Sequence, residues 1–164
     1  MLRAVYALVA TLVLLAGCAT APTDPNQRNV FRIKPNMVAD IQFRHVDSIN
    51  AVRQAQGLQP LELSSQLTAA AKTHAQDIAR QNRPWHFGSD GSNPLERVAR
   101  TGYAGGLIAE NISESFESDV ETLEAWLRDP TTRAGILRPD ARNLGISWYQ
   151  EPSGKLWWVQ VLGS

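Results

Sequence analysis

The chain predicts an α+β fold in which helices cover a small sheet that closes with a C-terminal antiparallel hairpin. Two observations carry this. Apolar residues recur at helical spacing from about Val38 to Leu127, and the period then shortens to that of strands in NLGISWYQ and LWWVQVLG. Helices followed by a terminal hairpin make one α+β domain.

The first element lies outside that domain. Arg3 precedes an apolar run, Ala4 to Ala16, which is too short to cross a bilayer and ends in LAGC. This has the form of a bacterial lipobox, with cleavage before Cys18 and acylation of its thiol. An ordinary secretory signal is the alternative, but the chain's one cysteine sits where acylation needs it. Residues 1–17 therefore read as a lipoprotein signal peptide, and residues 18–36, with three prolines, as a tether. An acyl anchor at Cys18 makes the membrane a partner without a spanning helix. Ala19, rather than Asp, after the cysteine directs the expectation to the outer membrane, facing the periplasm of a bacterial envelope.

Residues 37–164 form the domain. Removing Arg3 with the signal lowers 16 basic groups to 15, against 16 acids, so no electrostatic footprint for nucleic acid remains. With Cys18 acylated, disulfides, a cysteine nucleophile and thiolate-bound zinc are excluded.

The first helix is expected from Val38 to Gln56, with Val38, Ile41, Ile49 and Val52 inward and Gly57 past its end. After LQPLEL a second helix starts at Ser64 or Ser65 and buries Leu67, Ala71, His74 and Ile78. Asn93-Pro94 opens a third, with Leu95, Val98 and Ala99 inward. A fourth begins at Ser118, matched by Glu121 at capping-box spacing, with Val120, Leu123 and Leu127 inward. Pro130 ends it. The segments NLGISWYQ and LWWVQVLG then pair around Pro-Ser-Gly. Consecutive Trp157 and Trp158 face opposite ways in a strand, which leaves one of them free to be exposed.

The candidate chemistry is sparse. No phosphate loop, serine elbow or HExxH is present. His86 sits in turn-rich PWHFGSDG and Glu110 beside a glycine-rich turn. The two meet as a base with its orienter or as two metal ligands, or else stand apart on the surface. His45 and His74 fall on apolar helix faces and read as core histidines. Asp129 before Pro130 reads as a helix cap.

Together these residues resemble bacterial CAP domains, the superfamily of cysteine-rich secretory proteins, antigen 5 and pathogenesis-related proteins. Asn50, Arg53, Gly57, Leu58, Pro60 and Leu61 fit its opening block. His86, Asp90, Gly91, Arg97, Gly102, Tyr103, Glu110, Asn111 and Ile112 fit the next. The resemblance implies an α-β-α sandwich with a central antiparallel sheet, and a cleft of two histidines and two acids that binds a divalent ion such as zinc in some members. Carried over, His86 is the first histidine and Glu110 an acid. In WLRDPTTRAGIL, Thr132 stands in the second histidine's place, and Asp129 occupies the position of the second acid. His86, Glu110 and Asp129 would supply one nitrogen and two carboxylates, so metal binding is expected to be weak or absent and no cofactor is expected.

The function expected is an envelope lipoprotein whose cleft, lined by His86, Glu110, Asp129 and Thr132, binds or scaffolds a lipid, glycan or protein partner. A hydrolase of peptide or envelope polymer using His86 and Glu110 is one alternative. A purely structural envelope protein is the other.

Overall fold

The computed structural model describes residues 30–164; the signal peptide, Cys18 and most of the tether lie outside the described residues. A 3-10 turn (Pro35–Met37) leads into α1 (Val38–Ala55), followed by β1 (Glu62–Leu63), α2 (Ser65–Gln81), α3 (Pro94–Arg100), β2 (Leu107–Glu114), α4 (Asp119–Arg128), α5 (Pro130–Ile136), β3 (Asn143–Gln150) and β4 (Leu156–Gly163).

Local chemistry sets most boundaries. The Ser64 hydroxyl accepts from Leu67 N–H to start α2, and Asn82, at a φ of 49°, ends it in the left-handed region. Asn93 and Glu96 close a full capping box on α3. On α4 the Ser118 half of the expected box forms, but the Glu121 carboxylate accepts from Glu117 N–H instead of from Ser118.

The strands order β1-β3-β4-β2. β4 lies between β3 and β2 and pairs antiparallel with both, whereas the two-residue β1 pairs parallel with β3. The sheet is therefore mixed, not wholly antiparallel. A third segment, LIAENISE, to which the sequence reading assigns no element, is the edge strand β2. Its apolar residues do not alternate cleanly, because an edge strand half-covered by loops needs no such pattern.

Two apolar layers flank the sheet. Ile41, Ile49, Leu123, Trp126, Ile136, Leu144, Ile146, Trp158 and Leu162 pack beneath α1, α4 and α5. Leu67, Ala71, Ala75, Ile78, Trp157, Val159 and Val161 pack beneath α2. β4 is thus covered on both faces, and Trp157 and Trp158 are both fully buried, so neither is the exposed one. Their indole N–H groups donate to Glu151 Oε1 and Phe116 O. A Cβ on Gly145 of β3 would lie 2.1 Å from the Leu67 carbonyl carbon, so glycine there is what lets α2 sit this close to the sheet.

Some expected inward positions face solvent. Val38, Leu95, Ala99 and Val120 are exposed, and the buried face of α3 is Arg97 and Val98. The short helices turn their polar anchors inward because those anchors hold loops.

Arg53 is one such anchor. It is fully buried on α1 and donates to the carbonyls of Gln59, Ile136, Arg138 and Ala141. Burial holds its pKa below the usual value, with the nearby Arg142 adding to the effect. Asn50 exchanges hydrogen bonds with both backbone groups of Leu61 and so fixes β1 against the helix. At the other end of the sheet, Gln150 binds Phe31 O and Ile33 N, and Arg32 donates to Glu151 O and Pro152 O. The chain thereby enters the domain across the tip of the β3–β4 hairpin.

Candidate functional site

The loop between α2 and α3 is shaped by one carboxylate. Asp77, inward on the last turns of α2, accepts from the Ser89 amide and hydroxyl at 2.6 Å each, and from Arg80 and Gln81. Burial pushes its carboxyl up, but the Ser89, Arg80 and Gln81 hydrogen bonds outweigh that and hold it below the usual value. Gly91, at a φ of +81°, makes the tight turn that returns the chain to α3. Its amide donates to Gly88 O.

This loop carries His86 over β2. His86 Nδ1 donates to Glu110 Oε1 at 2.9 Å. The imidazole side chain is 54% exposed, while the Glu110 side chain is only 3% exposed. The two expected residues do meet, but Glu110 is a buried acid and not a surface one.

Two further residues complete the cluster. Arg97, buried on α3, donates through Nη2 to both Glu110 oxygens, at 2.9 and 2.8 Å. Arg97 also binds Ser92 O and His86 O, so one guanidinium neutralises the acid and pins the loop that bears the histidine. His74 Nε2 donates to Trp85 O at 2.9 Å and lies 3.6 Å from Glu110 Oε1. Burial lowers the His74 pKa; the Glu110 charge works in the opposite direction without prevailing. His74 is a core histidine, as its helix face predicts, yet it also belongs to the cluster. Its Asp77 neighbour one turn on is the sequence signal that this face of α2 is not purely apolar. Arg97 had entered only through the family pattern; an arginine beside Val98, on the helix face opposite Leu95, is the clue to its burial.

Asp129 and Thr132 are engaged elsewhere. Asp129 is exposed and caps α5, accepting from Thr131 N–H at 2.8 Å and Thr132 N–H at 3.0 Å. The Thr132 hydroxyl donates to Trp126 O at 2.5 Å. Among the described residues neither makes a hydrogen bond to His86 or Glu110, and no three His, Cys, Asp or Glu side chains are grouped as metal ligands.

An acid bound by a buried arginine and a half-exposed histidine, on a helix-covered sheet with a C-terminal hairpin, defines an α-β-α sandwich domain with a polar side-chain cluster at the edge of its sheet. The chain belongs to the cysteine-rich secretory protein family, whose CAP model matches residues 46–162. It is 27% identical over 143 residues to protein YkwD of Bacillus subtilis (strain 168), covering 87% of this chain. It spans 55% of that relative's length. Among solved structures it is similar to an outer surface protein of Borrelia burgdorferi, with a TM-score of 0.71 at 19% identity over 82% of this chain and 97% of that one. It is also similar to an extracellular protein containing an SCP domain from Bacillus anthracis, with a TM-score of 0.66 at 21% identity over 82% of this chain and 45% of that one. Both structural likenesses establish the fold alone.

Proposed function

We propose that this protein is a binding or scaffolding module of the bacterial envelope, anchored by an acylated Cys18. In this reading the cleft around His86, Glu110, Arg97 and His74 holds a partner rather than turning over a substrate. The observation that carries the reading is the state of Glu110. Both its oxygens accept from Arg97, so its charge is already neutralised and its lone pairs are largely spent. Two bacterial relatives of the same fold are described as outer-surface or extracellular proteins, which supports the location. No helix among the described residues is long and apolar enough to cross a membrane.

The zinc that some family members bind does not suit these donors. A cation at Glu110 would have to displace or face the Arg97 guanidinium. Asp129 spends its carboxylate on the α5 N-terminus, and Thr132 offers a hydroxyl already donated to Trp126 O. The imidazoles of His86 and of the buried His74, whose Nε2 is given to Trp85 O, are then left, below the three protein ligands of a zinc site. We therefore include no metal in the proposal.

The test is affinity capture and lipid extraction from envelope fractions, with the purified domain as bait. Retention of a lipid, glycan or protein, lost in a His86→Ala variant, is the expected result. A domain that captures nothing overturns the proposal.

One observation favours a second reading, a hydrolase. His86 is held on Nδ1 by a carboxylate while its ring stays half-exposed, which is the arrangement of a general base with its orienter. Activity on envelope extracts that disappears in His86→Ala is what this reading requires; activity that survives eliminates it.

A further inference from the structure

Edge strands present main-chain groups that another strand can pair with, and folded proteins cover most of them. This sheet does so at several points. On the outer side of β3, β1 pairs with Asn143 and Leu144, and Gln42 Nε2 donates to Ile146 O at 3.1 Å. On β2, the Trp126 indole donates to Ile112 O at 3.2 Å.

The ladder between β2 and β4 fixes which groups of β2 face outward. Ser115 N donates to Leu156 O, so Ser113 and Asn111 are the residues whose amides and carbonyls bond β4. Glu110 and Ile112 alternate with them and turn their main-chain groups away from β4. Of those groups only Ile112 O is covered. Among the described residues, Glu110 N–H, Glu110 C=O and Ile112 N–H make no hydrogen bond. Glu110 is half-buried as a residue, yet its side chain is only 3% exposed. What solvent reaches there is therefore main chain, on the strand that the half-exposed His86 ring lies over.

The chemistry of this bare edge selects its partner. An amide and a carbonyl on one outward-facing residue are what a residue of an antiparallel strand meets with its own carbonyl and amide. An acyl chain would bond neither. The Glu110 carboxylate is already matched by Arg97, so an uncharged segment meets no unpaired charge there. The side chain opposite Glu110 would lie on the same face of the sheet, against the His86 ring. His86 gives Nδ1 to Glu110, which leaves Nε2 to accept from a hydroxyl.

We propose that the Glu110–Ile112 edge of β2 docks an uncharged, extended peptide segment of a partner protein, added to the sheet through main-chain hydrogen bonds. The inference rests on the binding-module reading and selects protein among its partners.

The experiment uses the 15N-labelled mature chain, residues 18–164 with Cys18→Ser, and an acetylated and amidated Thr-Val-Thr-Val-Thr-Val hexapeptide as probe. In the free protein the Glu110 and Ile112 amides are expected to exchange with solvent at least about tenfold faster than the Asn111 amide, which β4 holds. The hexapeptide is expected to shift the Glu110 and Ile112 amides and to slow their exchange. Two further peptides carry N-methyl groups on every Thr amide or on every Val amide. An added strand turns one of these sets toward β2 and the other toward solvent. One isomer is therefore expected to bind at least about tenfold more weakly, and the other to bind like the parent. Equal binding of both isomers, loss of binding by both, or a Glu110 amide as protected as that of Asn111 overturns the proposal. A parent peptide that moves neither amide at about 1 mM overturns it as well. So do lipid vesicles or N,N′-diacetylchitobiose that move these amides where the peptide does not. If the peptide fails while the wild-type protein still captures envelope material, the strand inference alone falls. If capture fails too, the binding-module reading falls with it.

Discussion

Glu110→Gln keeps the shape of the side chain and removes the charge that faces Arg97. The guanidinium is then buried with only the Ser92 and His86 carbonyls and one amide oxygen around it. Removing one partner of a buried ion pair costs about 3–5 kcal/mol, and the surviving acceptors place this case near 3 kcal/mol. For a domain of about 130 residues, an unfolding entropy of about 2.1 cal/mol/K per residue converts that loss to a fall in Tm of roughly 10 °C. Urea and thermal unfolding at neutral pH, followed by circular dichroism, measure both quantities. The His86 ring should also lose its fixed orientation, visible as narrowed and averaged ring-proton signals. A loss below about 1 kcal/mol, the range of an exposed pair, refutes the view that Glu110 is the required counter-charge of a buried arginine.

Three other outcomes follow from the same geometry. Burial lowers the pKa of His45 and of His74, so the unfolded chain binds more protons than the fold does as pH drops below about 6.5. Stability is accordingly present above that pH and lost below it, with a slope of at most about 1.4 kcal/mol per pH unit for each histidine, and His45→Gln should make the slope shallower in urea titrations between pH 7 and 5. Asp129→Ala should cost about 1 kcal/mol by uncapping α5, read as a lower urea midpoint, while the His86 ring signals stay unchanged. Adding zinc or chelator should leave Tm where it is; a rise with zinc would show a ligand set that the donors around Glu110 do not supply.

Much of the site was readable along the chain, but as single residues and not as a cluster. His86 and Glu110 were picked out by their turn-rich surroundings and by the family pattern. Their pairing stayed one alternative on spacing and was implied only by the family pattern, because 24 residues separate them and a loop, not a helix period, brings them together. His74 was placed in the core by its helix face, which is true, but the same face points at Glu110. Arg97 carries no local sign of burial beyond its place beside Val98. β2 was missed because LIAENISE mixes Glu110 and Asn111 into a strand whose two faces meet different layers.

By itself the sequence determined whatever depends on neighbours within a few residues. The Ser64, Asn93, Ser118 and Asp129 caps, the Pro130 break, the helix starts and the C-terminal hairpin all follow from backbone groups that must be satisfied locally. It also determined the family, through motifs spread in order along the domain. The tertiary structure alone decided which side chains lose their water. Both Trp157 and Trp158 are buried because β4 is central and covered on each face, a consequence of strand order that no stretch of β4 encodes. Arg97 became the partner of Glu110 because α3 and β2 meet beside the loop that Asp77 ties down. Desolvation makes that guanidinium and carboxylate need one another, and desolvation is set by what the whole chain packs around them.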